Sequence, residues 1–223
     1  MYLEVKDVTK RIRGTTVVDR ASFSMEKGRI YGLWGKNGSG KTMILRLLAG
    51  LILQNEGEIW IGGKHLGKDM DFPESLGLLI ENPSFISYET GFQNLAYLAR
   101  IRNRISDTEI CGTLEAVGLD PKDRRTYRKY SLGMKQRLGI AAAIMEKPDL
   151  LLLDEPFNAL DTKGVEQVKE LLKTMRADGK LIILACHDRE EMEELADEVF
   201  LIEEGRITGH EIIEKNGGKQ EEG

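Results

Sequence analysis

The 223 residues carry 41% hydrophobic and 31% charged side chains, the balance of a globular chain able to bury one sizeable core. The net charge of −5 comes with scattered basic residues, which disfavours long-range attraction to nucleic acid or anionic lipid. No apolar run approaches the roughly 18 residues that span a bilayer. The opening MYLEVKDVTK also lacks the apolar stretch of a secretory signal, so a membrane role calls for a partner chain. Cys111 and Cys186 are far apart and form no CxxC pair; they read as two reduced, buried thiols.

LEVKDV at 3–8 alternates apolar and polar residues and predicts a strand with one solvated face. A short strand at about 21–26 and RIYGLWG at 29–35 follow, the latter running into a glycine-rich turn and an amphipathic helix from Lys41 to Leu48. The apolar LGLLI before Glu81 predicts a buried strand over 75–80. Helical periodicity then takes over, with helices expected near 91–102, 107–117 and 133–146. LLLLD at 150–154, LIILAC at 181–186 and EVFLI at 198–202 are short apolar runs, separated by helical patterns at 163–177 and 188–196. Strands alternating with helices predict an α/β fold with a mostly parallel sheet covered on both faces. The expected layout is one domain: a core at about 1–81 and 147–215, a helical subdomain inserted at about 82–146, and a polar tail at about 216–223.

Chemistry concentrates in three places. Gly35-Lys36-Asn37-Gly38-Ser39-Gly40-Lys41-Thr42 fits G-x-x-x-x-G-K-[ST] between a strand and a helix. The glycines let backbone N–H groups turn toward phosphate oxygens, and the helix N-terminus, with Met43 in its first turn, adds a favourable dipole. Lys41 can reach the β- and γ-phosphates, and the Thr42 hydroxyl can ligate Mg²⁺. Asp154-Glu155-Pro156 ends a buried strand, where open α/β sheets bind ligands. Asp154 can hold Mg²⁺ through water and Glu155 can polarise the attacking water. Strands ending in acidic residues are common, so this second motif gains its weight from the first.

The third place is Tyr130-Ser131-Leu132-Gly133-Met134-Lys135-Gln136-Arg137, which resembles the LSGGQ-x-QR signature of ABC ATPases. It matches at Ser131, Gly133, Gln136 and Arg137 and departs at Tyr130, Leu132 and Met134. Locally, Ser131 also reads as a helix N-cap. In the same order, Asn158-Ala159-Leu160-Asp161 resembles the family's D-loop, and His187, after LIILAC, resembles its switch histidine at the γ-phosphate. NPSFISYETGFQNL at 82–95 resembles the segment that joins the core to the helical subdomain. The resemblance spans about residues 2–213. It implies a P-loop NTPase (RecA-like) core with an N-terminal antiparallel β part, and ATP and Mg²⁺ as ligands. It also implies a head-to-tail homodimer or heterodimer in which each phosphate loop faces the other subunit's Ser131, Leu132, Gly133 and Met134. The expected setting is the cytoplasmic face of the membrane, beside a separate membrane-spanning permease chain.

Two departures matter. The family's upstream aromatic residue, which stacks on adenine, aligns here with Ile12 or Arg13. The family's usual glutamine after the LGLLI strand is Glu81, a candidate Mg²⁺ ligand, and with IENPSF it resembles the branch that exports bacitracin-like and lantibiotic-type peptides. An ATPase acting on ribosomes or DNA is the alternative; such members carry paired cassettes or a long coiled coil, and this chain has neither. KDRRTYRK at 122–129 reads as a solvated helix face rather than a nucleic-acid patch. DREEMEELADE at 188–198 reads as a solvated helix face with Met192, Leu195 and Ala196 inward.

Overall fold

The N-terminal strands β1 (Leu3–Ile12) and β2 (Thr15–Met25) form a hairpin that leads into β3 (Arg29–Trp34), α1 (Lys41–Leu48), β4 (Glu56–Ile61), β5 (Lys64–His65) and β6 (Leu76–Leu79). Three helices follow: α2 (Gly91–Arg102), α3 (Asp107–Ala116) and α4 (Leu132–Ile144). The chain then alternates β7 (Leu150–Asp154), α5 (Thr162–Ala177), β8 (Leu181–Cys186), α6 (Arg189–Leu195), β9 (Glu198–Glu203) and β10 (Arg206–Ile212). This computed structural model describes residues 1–81 and 83–214. Asn82 and the polar tail expected from 216 onward lie outside the described residues.

Two sheets carry the fold. The larger runs in the order β10-β9-β3-β8-β7-β6, parallel throughout except for the antiparallel edge pair β9–β10. The smaller is antiparallel, in the order β2-β1-β4-β5. Strands β7 and β8 are buried at every position, as expected of central parallel strands covered on both faces. Their side chains alternate between two cores. Leu150, Leu152 and Ile183 join α1 and the small sheet through Leu45, Leu48, Leu3 and Val5. Leu151, Leu153 and Ile182 face the helices through Leu114, Leu138 and Leu172. The period of two in LLLLD thus glues three layers together.

The middle helices start where polar side chains satisfy free backbone donors. Thr90 with Gln93 and Ser106 with Glu109 form capping boxes for α2 and α3, and the Ser131 hydroxyl accepts from the Met134 N–H at the start of α4.

Several expectations need correction. β1 runs on to Ile12 and β2 begins at Thr15; the register shifts and the left-handed residues Asp7 and Arg20 break the alternation that marks a strand and so hide these lengths in the sequence. β4, β5 and β10 were not anticipated; each is short or polar on an exposed face. Residues 122–129 are turn and a short 3₁₀ segment rather than a helix face, with Tyr127 buried. Both cysteines are free, but only Cys186 is buried. Met192, Leu195 and Ala196 do point inward.

Candidate active site

The loop between β3 and α1 is shaped by close backbone contacts. A Cβ at Gly35 would run into the Ile202 carbonyl on β9 and the Ser39 hydroxyl. Gly40 has φ of 107° and lies where a Cβ would sit 2.9 Å from the Val17 carbonyl, so an L side chain is excluded by backbone geometry and space together. Inside this turn the buried Lys41 ammonium donates to the carbonyls of Gly35 at 2.7 Å and Lys36 at 3.2 Å. The Ser39 hydroxyl is buried and has no hydrogen-bond partner among the described residues. Beside the loop lies a cleft of about 390 Å³, bounded by Asn37, Gly38 and Lys41 to Met43 on one side and by Asp154 and Glu155 on the other.

Topology brings the acidic pair to that cleft, since β7 ends there. The Thr42 hydroxyl donates to Asp154 Oδ2 at 2.6 Å. Burial raises the Asp154 carboxyl above the usual carboxylate range, the Thr42 hydrogen bond opposes this, and the charge of Glu155 adds to it. Hydroxyl and carboxylate are hard oxygen donors of the kind Mg²⁺ prefers, so Thr42 and Asp154 fit that ion. Glu155 adopts the left-handed region at φ of 48°, held by its N–H donating to the Ala185 carbonyl at 2.8 Å. Gln136 from α4 donates to the Glu155 and Pro156 carbonyls at 3.1 and 3.0 Å. Strain of this kind concentrates at functional turns.

His187 leaves β8 beside Glu155, with Nδ1 2.8 Å from Glu155 Oε2. Cys186, Glu155 and His187 place potential ligand atoms within 4.8 Å of one another. Burial, however, pushes the Cys186 thiol up to about 12, so its sulfur stays protonated near neutral pH and is a poor metal ligand. Glu81 lies outside the cleft. Its carboxylate is paired with Arg46 on α1, yet its charge is near enough to add to the upward push on Asp154.

Ser131, Leu132, Gly133 and Met134 do not line this cleft. Leu132 is 66% exposed, and Gly133 sits where a Cβ would meet the Ala159 carbonyl at 2.7 Å. Asp161 caps α5 by accepting from Gly164 N–H at 3.2 Å, and also takes Arg137 at 2.8 Å. One chain therefore gathers the phosphate loop, Asp154, Glu155 and His187, and presents the signature residues elsewhere on its surface. At the far end of the cleft stand Thr15, Thr16 and Val17. Ile12 and Arg13 belong to the hairpin tip beyond them, and Tyr2 is engaged elsewhere, its ring 4.5 Å from Lys27 Nζ. Sequence reasoning missed Arg46, the Thr15–Val17 wall and the Gln136 link. Only Arg46, one helical turn beyond Thr42, had a signal in its spacing.

Comparison with known proteins points to one family. The ABC transporter family profile matches residues 18–158. The chain is 47% identical over 214 residues to the uncharacterized ABC transporter ATP-binding protein YybJ of Bacillus subtilis, covering 96% of this chain and 98% of that one. It is 39% identical to the bacitracin transport ATP-binding protein BcrA of Enterococcus faecalis, over 92% of this chain and 68% of that protein. It is 33% identical to the lantibiotic transport ATP-binding protein SrtF of Streptococcus pyogenes, over 96% and 90%. Its fold superposes on the dimeric ATP-binding cassette MJ0796 bound to ADP and Pi with a TM-score of 0.85, at 21% identity, over 96% and 99% of the two chains.

Proposed function

The chain belongs to the ABC transporter family as an ATP-binding, ATP-hydrolysing subunit, and on that premise we propose that it drives export of peptides or amphipathic molecules by closing a head-to-tail dimer around Mg²⁺-ATP. The observation that carries this reading is the convergence of Lys41, Thr42, Asp154 and Glu155 on one cleft, with His187 held against Glu155.

In this mechanism the phosphate loop binds the triphosphate through its N–H groups and Lys41, which neutralises β- and γ-phosphate charge. Thr42 and Asp154 would hold Mg²⁺, which would draw charge from the phosphate oxygens. Glu155 orients and polarises the attacking water. His187, its Nδ1 steadied by Glu155, is the γ-phosphate contact. Ser131 and Gly133 of a second subunit complete the site, because this chain's own signature stands away from its own cleft. Glu81 would supply one further carboxylate oxygen to the Mg²⁺ ion.

The similarity to bacitracin and lantibiotic transport subunits supports the export reading. Among the described residues no helix is long and apolar enough to cross a membrane, so the proposed complex includes a separate permease that holds the chain at the cytoplasmic face. A groove of about 500 Å³ between Arg46, Glu81, Phe85 and Leu98 supports docking of that permease beside the site. The helical segment, proposed to span about 82–146, then transmits closure. Two measurements test the scheme together: Mg²⁺-dependent phosphate release by the purified chain, and its copurification with a permease from solubilised membranes. Failure of the first removes the site assignment, and failure of the second removes the transport assignment.

A further inference from the structure

β3 and β8 are neighbours in the parallel sheet, with Trp34 opposite Cys186. The phosphate loop and the turn bearing His187 therefore leave the sheet at the same level. Side chains bridge them a second time. Arg189, the first residue of α6, lays its guanidinium over the Trp34 indole, 5.0 Å from the ring centroid. Its Nε lies 2.5 Å from Glu193 Oε1, and its Nη2 pairs with Glu211 on β10. A planar cation held by two carboxylates and one ring face has little freedom to rotate.

The placement matters because α6 is short and anchored unevenly. Met192 and Leu195, toward its C-terminal end, are buried; Met192 packs under β3 at Gly32, where a Cβ would meet its Sδ. At the other end His187 and Asp188 are exposed. This end of α6 meets β8 through the Cys186–Glu191 contact at 3.8 Å and meets the phosphate-loop strand through the Arg189–Trp34 stack. We propose that Arg189 is a positioning residue for hydrolysis: clamped on Trp34, it holds His187 at a fixed reach from the phosphate loop. The inference rests on the reading of His187 as a γ-phosphate contact.

The test compares Arg189→Leu, Trp34→Leu, Trp34→Phe and the double variant Arg189→Leu/Trp34→Leu, with His187→Ala as reference. Arg189→Leu is expected to lower kcat about ten- to hundredfold while the Kd for ATP stays within about twofold, since the bound state is made but misaligned. Trp34→Leu behaves alike, Trp34→Phe restores turnover by keeping an aromatic face, and the double variant is no worse than either single one. In a Trp60→Phe background, loss of Arg189 also shifts Trp34 emission. Wild-type kcat in both leucine variants alongside an inactive His187→Ala overturns the clamp and leaves the His187 reading intact. Full turnover in His187→Ala overturns that reading instead. Should Arg189→Leu fail to fold, the contrast between Trp34→Phe and Trp34→Leu decides the matter.

Discussion

Asp154 and Glu155 are adjacent in sequence yet have different surroundings, and this separates their proposed roles. Glu155 sits at a strained turn with His187 on its carboxylate, placed to act on water. Glu155→Gln keeps size and loses the ability to accept a proton, so ATP affinity is expected to persist while turnover falls by about 10²-fold or more; near-wild-type phosphate release would remove Glu155 from the reaction. Asp154 is buried and its carboxyl is raised. The sign follows: a raised folded-state pKa means that charge on Asp154 weakens the fold, increasingly as pH climbs from the ordinary aspartate range through the folded value, and fully above it. Asp154→Asn should therefore raise the urea midpoint of the nucleotide-free protein at neutral pH while abolishing Mg²⁺-dependent hydrolysis. A lower midpoint would show that the Thr42 hydrogen bond outweighs the burial of charge.

At the scale of elements, caps and strand starts can be tested apart from chemistry. Ser131 caps α4, and Ser131→Ala is expected to cost about 1 kcal/mol of stability. Ser131→Asn keeps the cap. If the serine also serves a second subunit's nucleotide, both variants lose ATP-dependent dimerisation in analytical ultracentrifugation, whereas a cap-only role would leave the asparagine variant dimerising normally. Asp149, at the entry to β7, accepts from Lys180 before β8 and pairs with Lys27 before β3, and these partners lower its carboxyl pKa. Its stabilisation is present above the ordinary aspartate pKa and is lost as pH falls through the lower folded value. Asp149→Asn should flatten this acid limb of the stability curve, with a small effect at an exposed pair; an unchanged limb would assign acid loss to other carboxylates. The central strands were legible in sequence because Leu150–Leu153 and LIILAC are apolar at every position, and α2 and α3 because their apolar residues recur with helical periodicity. β10 escaped notice because a strand paired at one edge and solvated on one face leaves only a weak alternation, as in RITGHEI, and β4 because its first residues are exposed and polar. The phosphate loop, Asp154 and Glu155 were legible as contiguous motifs. The Arg46–Glu81 and Arg189–Trp34 contacts were not, since each joins residues far apart in the chain whose meeting depends on sheet order.

For the molecule as a whole, the open question is how the ATP site is read by the groove beside it, and Glu81 lies on that boundary. Its backbone is left-handed, at φ of 57°, two residues beyond the end of β6, and its carboxylate is held by Arg46. Arg46 lies one turn along α1 from Thr42, whose hydroxyl is on Asp154. The Glu81 carboxylate therefore has two candidate partners: the guanidinium it already holds, and the Mg²⁺ proposed at Thr42 and Asp154. A hard, charged oxygen favours the ion, while the salt bridge opposes the transfer, weakly because it is largely exposed. Closure on a permease in the Arg46–Glu81 groove would tip this balance and so couple transport to metal occupancy. Glu81→Ala is then expected to raise the Mg²⁺ concentration for half-maximal hydrolysis several-fold, by about 1 kcal/mol of lost ligation. Arg46→Met, which frees the carboxylate and retains the aliphatic bulk of the side chain, should lower it. Glu81→Gln should keep basal hydrolysis measurable and blunt stimulation by the permease. The opposite shifts of the alanine and methionine variants are the decisive feature, because a merely structural salt bridge would move both in the same direction. Identical Mg²⁺ dependence in wild type, Glu81→Ala and Arg46→Met would reduce Glu81 to a loop residue and remove its share of the support for the peptide-export reading.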